Sequence, residues 1–176
     1  MKILDTLKDD KYPYTYINHT RKIVRAFVFD KDENIALIRI EGKDIFGKRD
    51  YYETPGGGVK DKESLLEGLK REILEELGII IDNIHPIGRI IDYYNLINRK
   101  NDNHYYFCFV KEKLTANLEN YEKDIFKEVV WINIDTAIKM YEEKMDTDLG
   151  YLVGQRELIA LRELKKIWLK YKKDIL

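Results

Sequence analysis

The sequence predicts a mixed α/β fold, with a strand-rich middle layered against helices. Three observations carry that prediction. Runs of β-branched and aromatic residues recur between about positions 24 and 132. One amphipathic helical stretch interrupts them after the third run, and two more close the chain.

Residues 24–29 and 35–40 read as the strands of a hairpin around the polar turn 30–34. Residues 41–50 read as a charged, glycine-containing loop, and 51–54 as a short strand leading into Pro55-Gly56-Gly57-Gly58. A helix is predicted over 63–77, because Leu65, Leu69, Ile73 and Leu77 repeat every four residues, with Leu66 beside them. Glu63 places a carboxylate in its first turn, favourable against the helix dipole, and Gly78 closes it where glycine is most favoured.

Beyond the helix, residues 79–81 and 84–97 read as strands, the second long and bent. A polar hairpin tip is predicted over 98–103, with a return strand over 105–113 and a further strand over 129–132. A helix over 136–144, a loop over 145–150 and an amphipathic helix over 156–171 follow. The last carries Leu158, Leu161, Leu164, Trp168 and Tyr171 on one side. Its apolar repeat lasts only about two heptads, so packing on its own domain is expected rather than a coiled coil.

The whole chain of 176 residues reads as one domain, with 1–21 an N-terminal extension and 151–176 a C-terminal helix. Basic and acidic residues nearly balance, 31 against 32, so nothing points to a nucleic-acid or membrane partner. The N-terminus lacks the continuous apolar stretch of a signal peptide, and no run of about 18 apolar residues occurs, so a cytoplasmic location is expected. The single cysteine, Cys108, lies in an apolar run and reads as a buried strand thiol. His19, His85 and His104 are scattered, with no metal-binding spacing. Tyr12, Tyr14 and Tyr16 leave three readings open: an edge strand, a homodimer contact, or a flank for a substrate base.

The chemistry concentrates between Gly57 and Ile79, which carry Gly-x5-Glu-x7-Arg-Glu-Ile-x-Glu-Glu-x-Gly-Ile. An accidental match in a chain of this length is rarer than roughly one in a million. Glu72, Glu75 and Glu76 stand at i, i+3 and i+4, on one helix face. Their repulsion, a few tenths of a kcal/mol per pair on an exposed helix, changes sign beside a divalent cation. Alone, such a cluster reads as a solvated helix face. With Gly57, Glu63, Arg71 and Gly78 in register, a metal site explains it better. Arg71 can hold a carboxylate bidentately and fix its rotamer.

This run resembles the signature of the Nudix hydrolases, with no departure at a fixed position. The resemblance implies an α/β/α sandwich with a mixed sheet, and Mg2+- or Mn2+-dependent attack of water on a diphosphate joined to another moiety. It makes Glu72 and Glu76 the principal metal ligands, Glu75 a ligand or its support, and the Gly56 carbonyl a backbone ligand. Arg71 becomes the orienting cation and Glu63 a structural carboxylate. A later loop offers Glu119, Glu122 and Asp124 as the general base, with Glu122 preferred. Arg25, Arg39, Glu53 and Tyr94 are candidate substrate contacts, and Glu53 is also a second-tier metal candidate.

The substrate implied is a small nucleoside diphosphate derivative. The stretch 53–58 resembles members acting on ADP-ribose or nucleotide sugars, whereas Tyr93 and Tyr94 resemble a feature of some dinucleoside-polyphosphate hydrolases. Nucleoside triphosphates and dinucleoside polyphosphates therefore stand second. The alternative from another class is a protein of this fold that senses nucleotides without turnover. Such proteins usually lose a carboxylate of the signature, and this chain keeps all of them. A diphosphate isomerase on the same fold would need extra histidine ligands and a working cysteine.

Overall fold

A computed structural model describes residues 1–118, 120–143 and 147–175. Eight strands form one mixed sheet. They are β1 (Ile3–Leu7), β2 (His19–Phe29), β3 (Ile35–Asp44), β4 (Gly47–Glu53), β5 (Gly56–Gly58), β6 (Ile79–Tyr94), β7 (Arg99–Lys113) and β8 (Phe126–Ile132). The helices are α1 (Leu65–Leu77), α2 (Asn120–Ile125), α3 (Ile134–Glu143) and α4 (Asp148–Ile175).

The sheet order is β1-β6-β7-β2-β3-β4, with β5 paired to β2 and β8 to β3. Successive side chains of a strand point to opposite faces. Val24, Ala26 and Val28 of β2 accordingly pack with Leu69 and Ile73 of α1, while Phe27 and Phe29 pack with Leu161, Leu164 and Trp168 of α4. Helices thus cover both faces of the sheet, which is the predicted α/β/α sandwich. Cys108 is fully buried in the α1-side core, and burial pushes its thiol pKa up, as its apolar run implied.

One irregularity makes the site. The predicted hairpin of β2 and β3 pairs only beside its turn, Phe29 with Ile35, and the two strands then diverge. Strand β4 pairs with β3 along its whole length, and the chain crosses at Thr54–Pro55 so that β5 pairs with Ile23–Arg25 of β2. The glycine turn therefore lies in the cleft where the sheet splits.

Several boundaries differ from the sequence reading. The supposed loop 41–50 is a hairpin, because β3 runs on to Asp44 and β4 begins at Gly47, whose φ is +85°. Residues 99–103 belong to β7, and the turn is instead the 3-10 segment Asn95–Ile97 with Asn98 left-handed. The two strands after α1 are one, β6, bent by register shifts near Ile81, His85 and Pro86. The edge strand of the N-terminal extension is β1, parallel to β6, and not the tyrosine segment. Tyr14 and Tyr16 are exposed, while the Tyr12 hydroxyl donates to the Phe46 carbonyl. Leu66 sits off the buried stripe and is exposed. Helix α4 begins at Asp148, eight residues before the predicted start, so only part of the 145–150 segment is loop; residues 144–146 lie outside the described residues. Among the described residues, no helix is long and apolar enough to cross a membrane.

Candidate active site

Helix α1 is set by both its ends. The Ser64 hydroxyl accepts from the Glu67 amide, and the Glu67 carboxylate accepts from the Ser64 amide, so Ser64 caps the helix, Glu63 lies just before it and Glu67 is the carboxylate of its first turn. Gly78 ends it with a left-handed φ of 64° and returns its amide to the Leu74 carbonyl. Buried Leu69 and Ile73 anchor one face, worth about 1.5–3 kcal/mol each, and fix which side faces the glycine turn.

Arg71 ties that helix to the turn. Its Nε and Nη2 donate to Glu63 at 2.8 and 2.9 Å as a bidentate pair, and Nη2 also reaches the Gly58 carbonyl at 2.9 Å. Nη1 donates to Glu72 at 2.7 Å and Glu75 at 3.0 Å. The Arg71 hydrogen bonds, helped by the Lys60 amide, hold the Glu63 carboxyl at about 2. The same carboxylates push the Arg71 pKa up.

Glu72 and Glu76 are buried against the turn, and Glu75 is half-buried. The Gly56 amide donates to Glu76 Oε2 at 2.7 Å. A Cβ on Gly57 would lie 2.5 Å from Glu72 Oε2, so the carboxylate occupies the volume a side chain would need. Here are hard oxygen donors, buried, at the edge of a cleft and reached by backbone without side chains. Such a set suits Mg2+ or Mn2+. Among the described residues, no three acidic, histidine or cysteine groups converge as a finished all-protein cage. Mg2+ ordinarily takes one or two carboxylates and completes its shell with water and substrate phosphate.

Glu76, Gly56 and Gly57 form one wall of a cavity of about 240 Å3, which Arg21, Arg25, Arg49, Arg99 and Arg156 also line. Three of these arginines are neutralised from within. Arg25 pairs with Glu53 at 2.6 Å and donates to the Thr54 carbonyl; Arg49 pairs with Asp44. Arg156, only 1% exposed, pairs with Glu53, Asp92 and Glu157 and with the Tyr94 and Tyr105 hydroxyls. Burial opposes ionisation of Glu53, but Arg25 and Arg156 outweigh it and lower its pKa. Arg99 is different: burial, then the like charge of Arg21, lower its pKa.

The candidates from the sequence divide accordingly. Glu72, Glu75, Glu76 and Arg71 come together, and Gly56 joins them through its amide. Arg25 and Glu53 lie at the cavity but are spent on each other, and Tyr94 lines it while its hydroxyl meets Arg156. Arg39 does not line the cavity. It alternates with Ile38 and Ile40 along β3, so it faces away from Ile40 and meets Glu41, Asp50 and Glu128. Glu119 and the side chain of Glu122 lie outside the described residues; Asp124 falls in α2, and Ile125 and Phe126 at its end line the cavity. The sequence reading missed Arg21, Arg49, Arg99, Asn101 and Arg156. A period-two alternation, Arg21-x-Ile23-x-Arg25 and Arg99-x-Asn101-x-Asn103, was the signal that could have found three of them.

Comparison with known proteins agrees with this architecture. The family model described as NUDIX domain matches residues 19–151. An 8-oxo-dGTP diphosphatase from Buchnera aphidicola is 50% identical over 38 residues, 22% of this chain and 31% of that protein. An RNA pyrophosphohydrolase from Hydrogenovibrio crunogenus is 34% identical over 62 residues, 34% of this chain and 38% of that protein. The matches thus span only about a third of those relatives' lengths. A solved NUDIX hydrolase from Nitrosomonas europaea superimposes with a TM-score of 0.62 at 17% identity, covering 83% of this chain and 88% of that one. The chain belongs to the Nudix family. Nudix hydrolases generally use divalent metal ions.

Proposed function

We propose that this protein hydrolyses the diphosphate linkage of a nucleoside diphosphate derivative with Mg2+ or Mn2+, ADP-ribose-like compounds and nucleotide sugars being the favoured class. The observation that carries the reading is the placement of Glu76, Gly56 and Gly57 on the wall of an arginine-lined cavity, with Glu72 packed onto Gly57. The diphosphatase and pyrophosphohydrolase names of the two relatives support the same reaction class.

Glu72 and Glu76 would hold the metal, with Glu75 beside them and the Gly56 carbonyl as a further oxygen. When bound, the ion would neutralise phosphate oxygens and lower the pKa of water. The chain's own part is positioning. Arg71 fixes Glu72 and Glu75 and the loop that bears Glu63, so the carboxylates keep their orientation without substrate. The Gly56 amide does the same for Glu76. Arg25, Glu53 and Arg156 form an ion-paired floor, in which Glu53, with Asp92 and Glu157 behind it, already engages both arginines. Glu122, on the helix that ends at the cavity, is the proposed proton acceptor.

The test is release of nucleoside monophosphate from ADP-ribose, nucleotide sugars, dinucleoside polyphosphates and nucleoside triphosphates, with each metal. Turnover is expected, and Glu76→Gln should lower kcat by about 10³-fold or more with the fold intact. Folded protein that binds these compounds and turns none over would sink the hydrolase reading. Near-normal activity in both Glu72→Gln and Glu76→Gln would sink the metal assignment.

A further inference from the structure

Of the five arginines at the cavity, three are matched by carboxylates, whereas Arg21 and Arg99 form no ion pair or side-chain hydrogen bond with any described residue. The Arg99 guanidinium lies over the Tyr94 ring, 5.7 Å from its centre, and its Nε is buried without a partner. Between the two arginines stands Asn101. It is 1% exposed, lines the same cavity, and neither its Nδ2 nor its Oδ1 has a partner. A buried amide left unsatisfied on both atoms loses its hydration without replacement, and natural folds rarely leave one.

The placement follows from the sheet. In the parallel pairing of β2 with β7, Arg21 stands beside Asn101 and His19 beside Arg99. Arg99 and Asn101 are two residues apart and share one face of β7, toward which Arg21 also points. Further along the same face, Phe27 pairs with Phe107 in the core beneath α4. One sheet face therefore runs from an apolar core, through the neutralised layer of Arg25 and Arg156, to a layer of unneutralised cations. At its other side Arg21 reaches the glycine turn, since a Cβ on Gly58 would lie 2.5 Å from its Nε.

Two guanidiniums of like charge, partly buried and without an internal counterion, call for an anion with several oxygens. Phosphate supplies these and about −1.5 to −2 charge at neutral pH. Phosphate alone would satisfy Nδ2 of Asn101 and leave Oδ1 without a donor. A hydroxyl next to the phosphate satisfies it. We infer that Arg21, Arg99 and Asn101 form a subsite for a phosphorylated sugar, so that the preferred substrate carries a phosphate monoester in addition to the diphosphate that is cleaved. This inference rests on the hydrolase reading for its place in catalysis and deepens it by naming the substrate subclass.

The experiment compares ADP-ribose with ADP-ribose 2′-phosphate as substrates of the full chain with Mg2+. The wild type should favour the phosphorylated compound by about 10- to 100-fold in kcat/KM, the worth of one or two charge-assisted hydrogen bonds. Arg99→Met and Arg21→Met should each remove most of that preference through KM, leaving ADP-ribose turnover within about threefold of the wild type. Equal turnover of both compounds by the wild type overturns the proposal. So does an equal loss on both in the variants, which would assign the arginines to the cleaved diphosphate instead. Should neither compound be hydrolysed, the hydrolase reading is decided by the wider panel, and calorimetric titration of ribose 5-phosphate into the protein decides the subsite separately. Binding that Arg99→Met or Asn101→Leu abolishes upholds it, and no binding by the wild type overturns it. Arg21→Met, altered at a partly open position, repeats the comparison if Arg99→Met does not fold.

Discussion

Gly57→Ala separates the needs of the site from the needs of the fold. Its φ is not in the left-handed region, so alanine meets no backbone strain. The obstacle is one side chain. The new Cβ would stand 2.5 Å from Glu72 Oε2, against the 3.4 Å at which ordinary contact begins, so the carboxylate must retreat by about 0.9 Å. Glu72 can swing, because the clash falls on the far end of its side chain, but its bond to Arg71 must then lengthen or break. A displacement of about 1 Å in a positioned group costs about 10²-fold in rate, or roughly 2.7 kcal/mol in the barrier. Apparent metal affinity should fall with it, by about 10- to 100-fold. The melting temperature should move by less than about 3 °C, corresponding to under about 1 kcal/mol for a domain of this size. Gly56→Ala is the contrasting case. Its φ is +140°, and its Cβ would strike the Val24 carbonyl oxygen and come within 2.8 Å of the Arg25 Cα, both backbone. That variant should lose the pairing of β5 with β2 and several degrees of melting temperature. Steady-state kinetics at varied Mg2+, beside thermal melts, measure both. Wild-type kcat and metal dependence in Gly57→Ala would refute the role given to the position of Glu72. A melting loss equal to that of Gly56→Ala would refute the claim that the clash is local.

The other predictions concern what holds the site. Arg156→Met should destabilise by about 3–5 kcal/mol, because the fully buried Glu157 and the buried Asp92 would lose their counter-charge, and the melting point should drop by about 10 °C; a drop under about 2 °C would show that the network contributes little. Ser64→Ala should cost about 1 kcal/mol, about 2–4 °C, through loss of the helix cap, with kcat retained. Glu63 has a folded pKa depressed from 4.5 to about 2 by Arg71, so the stability it contributes is complete above about pH 4.5 and is lost as the pH falls toward 2. Melts of the wild type and Glu63→Gln should therefore converge between pH 5 and about 2.5, and a constant gap over that range would refute the ion pair as the source.

How much of this was legible depended on the range over which each signal acts. The signature helix was readable because its cap, stripe and terminating glycine are local, each within a turn or two of the residue that it constrains. Even there Leu66 was misplaced, because a stripe counted by fours does not say where its edge lies. The 41–50 hairpin was missed for a related reason: its residues are charged, and their strand character comes from Gly47 and pairing with β3 rather than from apolar alternation. Arg21 and Asn101 stand 80 positions apart and become neighbours only through a parallel pairing that no local pattern encodes. Arg156 was hidden more thoroughly, since on a helix an arginine followed by a glutamate reads as solvated surface, and only the facing strands bury it. The carboxylates that do the proposed chemistry were thus written within one helix, whereas the cavity's arginines were distributed over β2, β4, β7 and α4, with the two proposed to select the substrate, Arg21 and Arg99, on β2 and β7. If the proposed subsite is right, reaction class rests on local sequence and substrate choice on tertiary pairing, so variants of Arg21 and Arg99 should change which molecule is cleaved while variants of Glu72 and Glu76 change whether anything is.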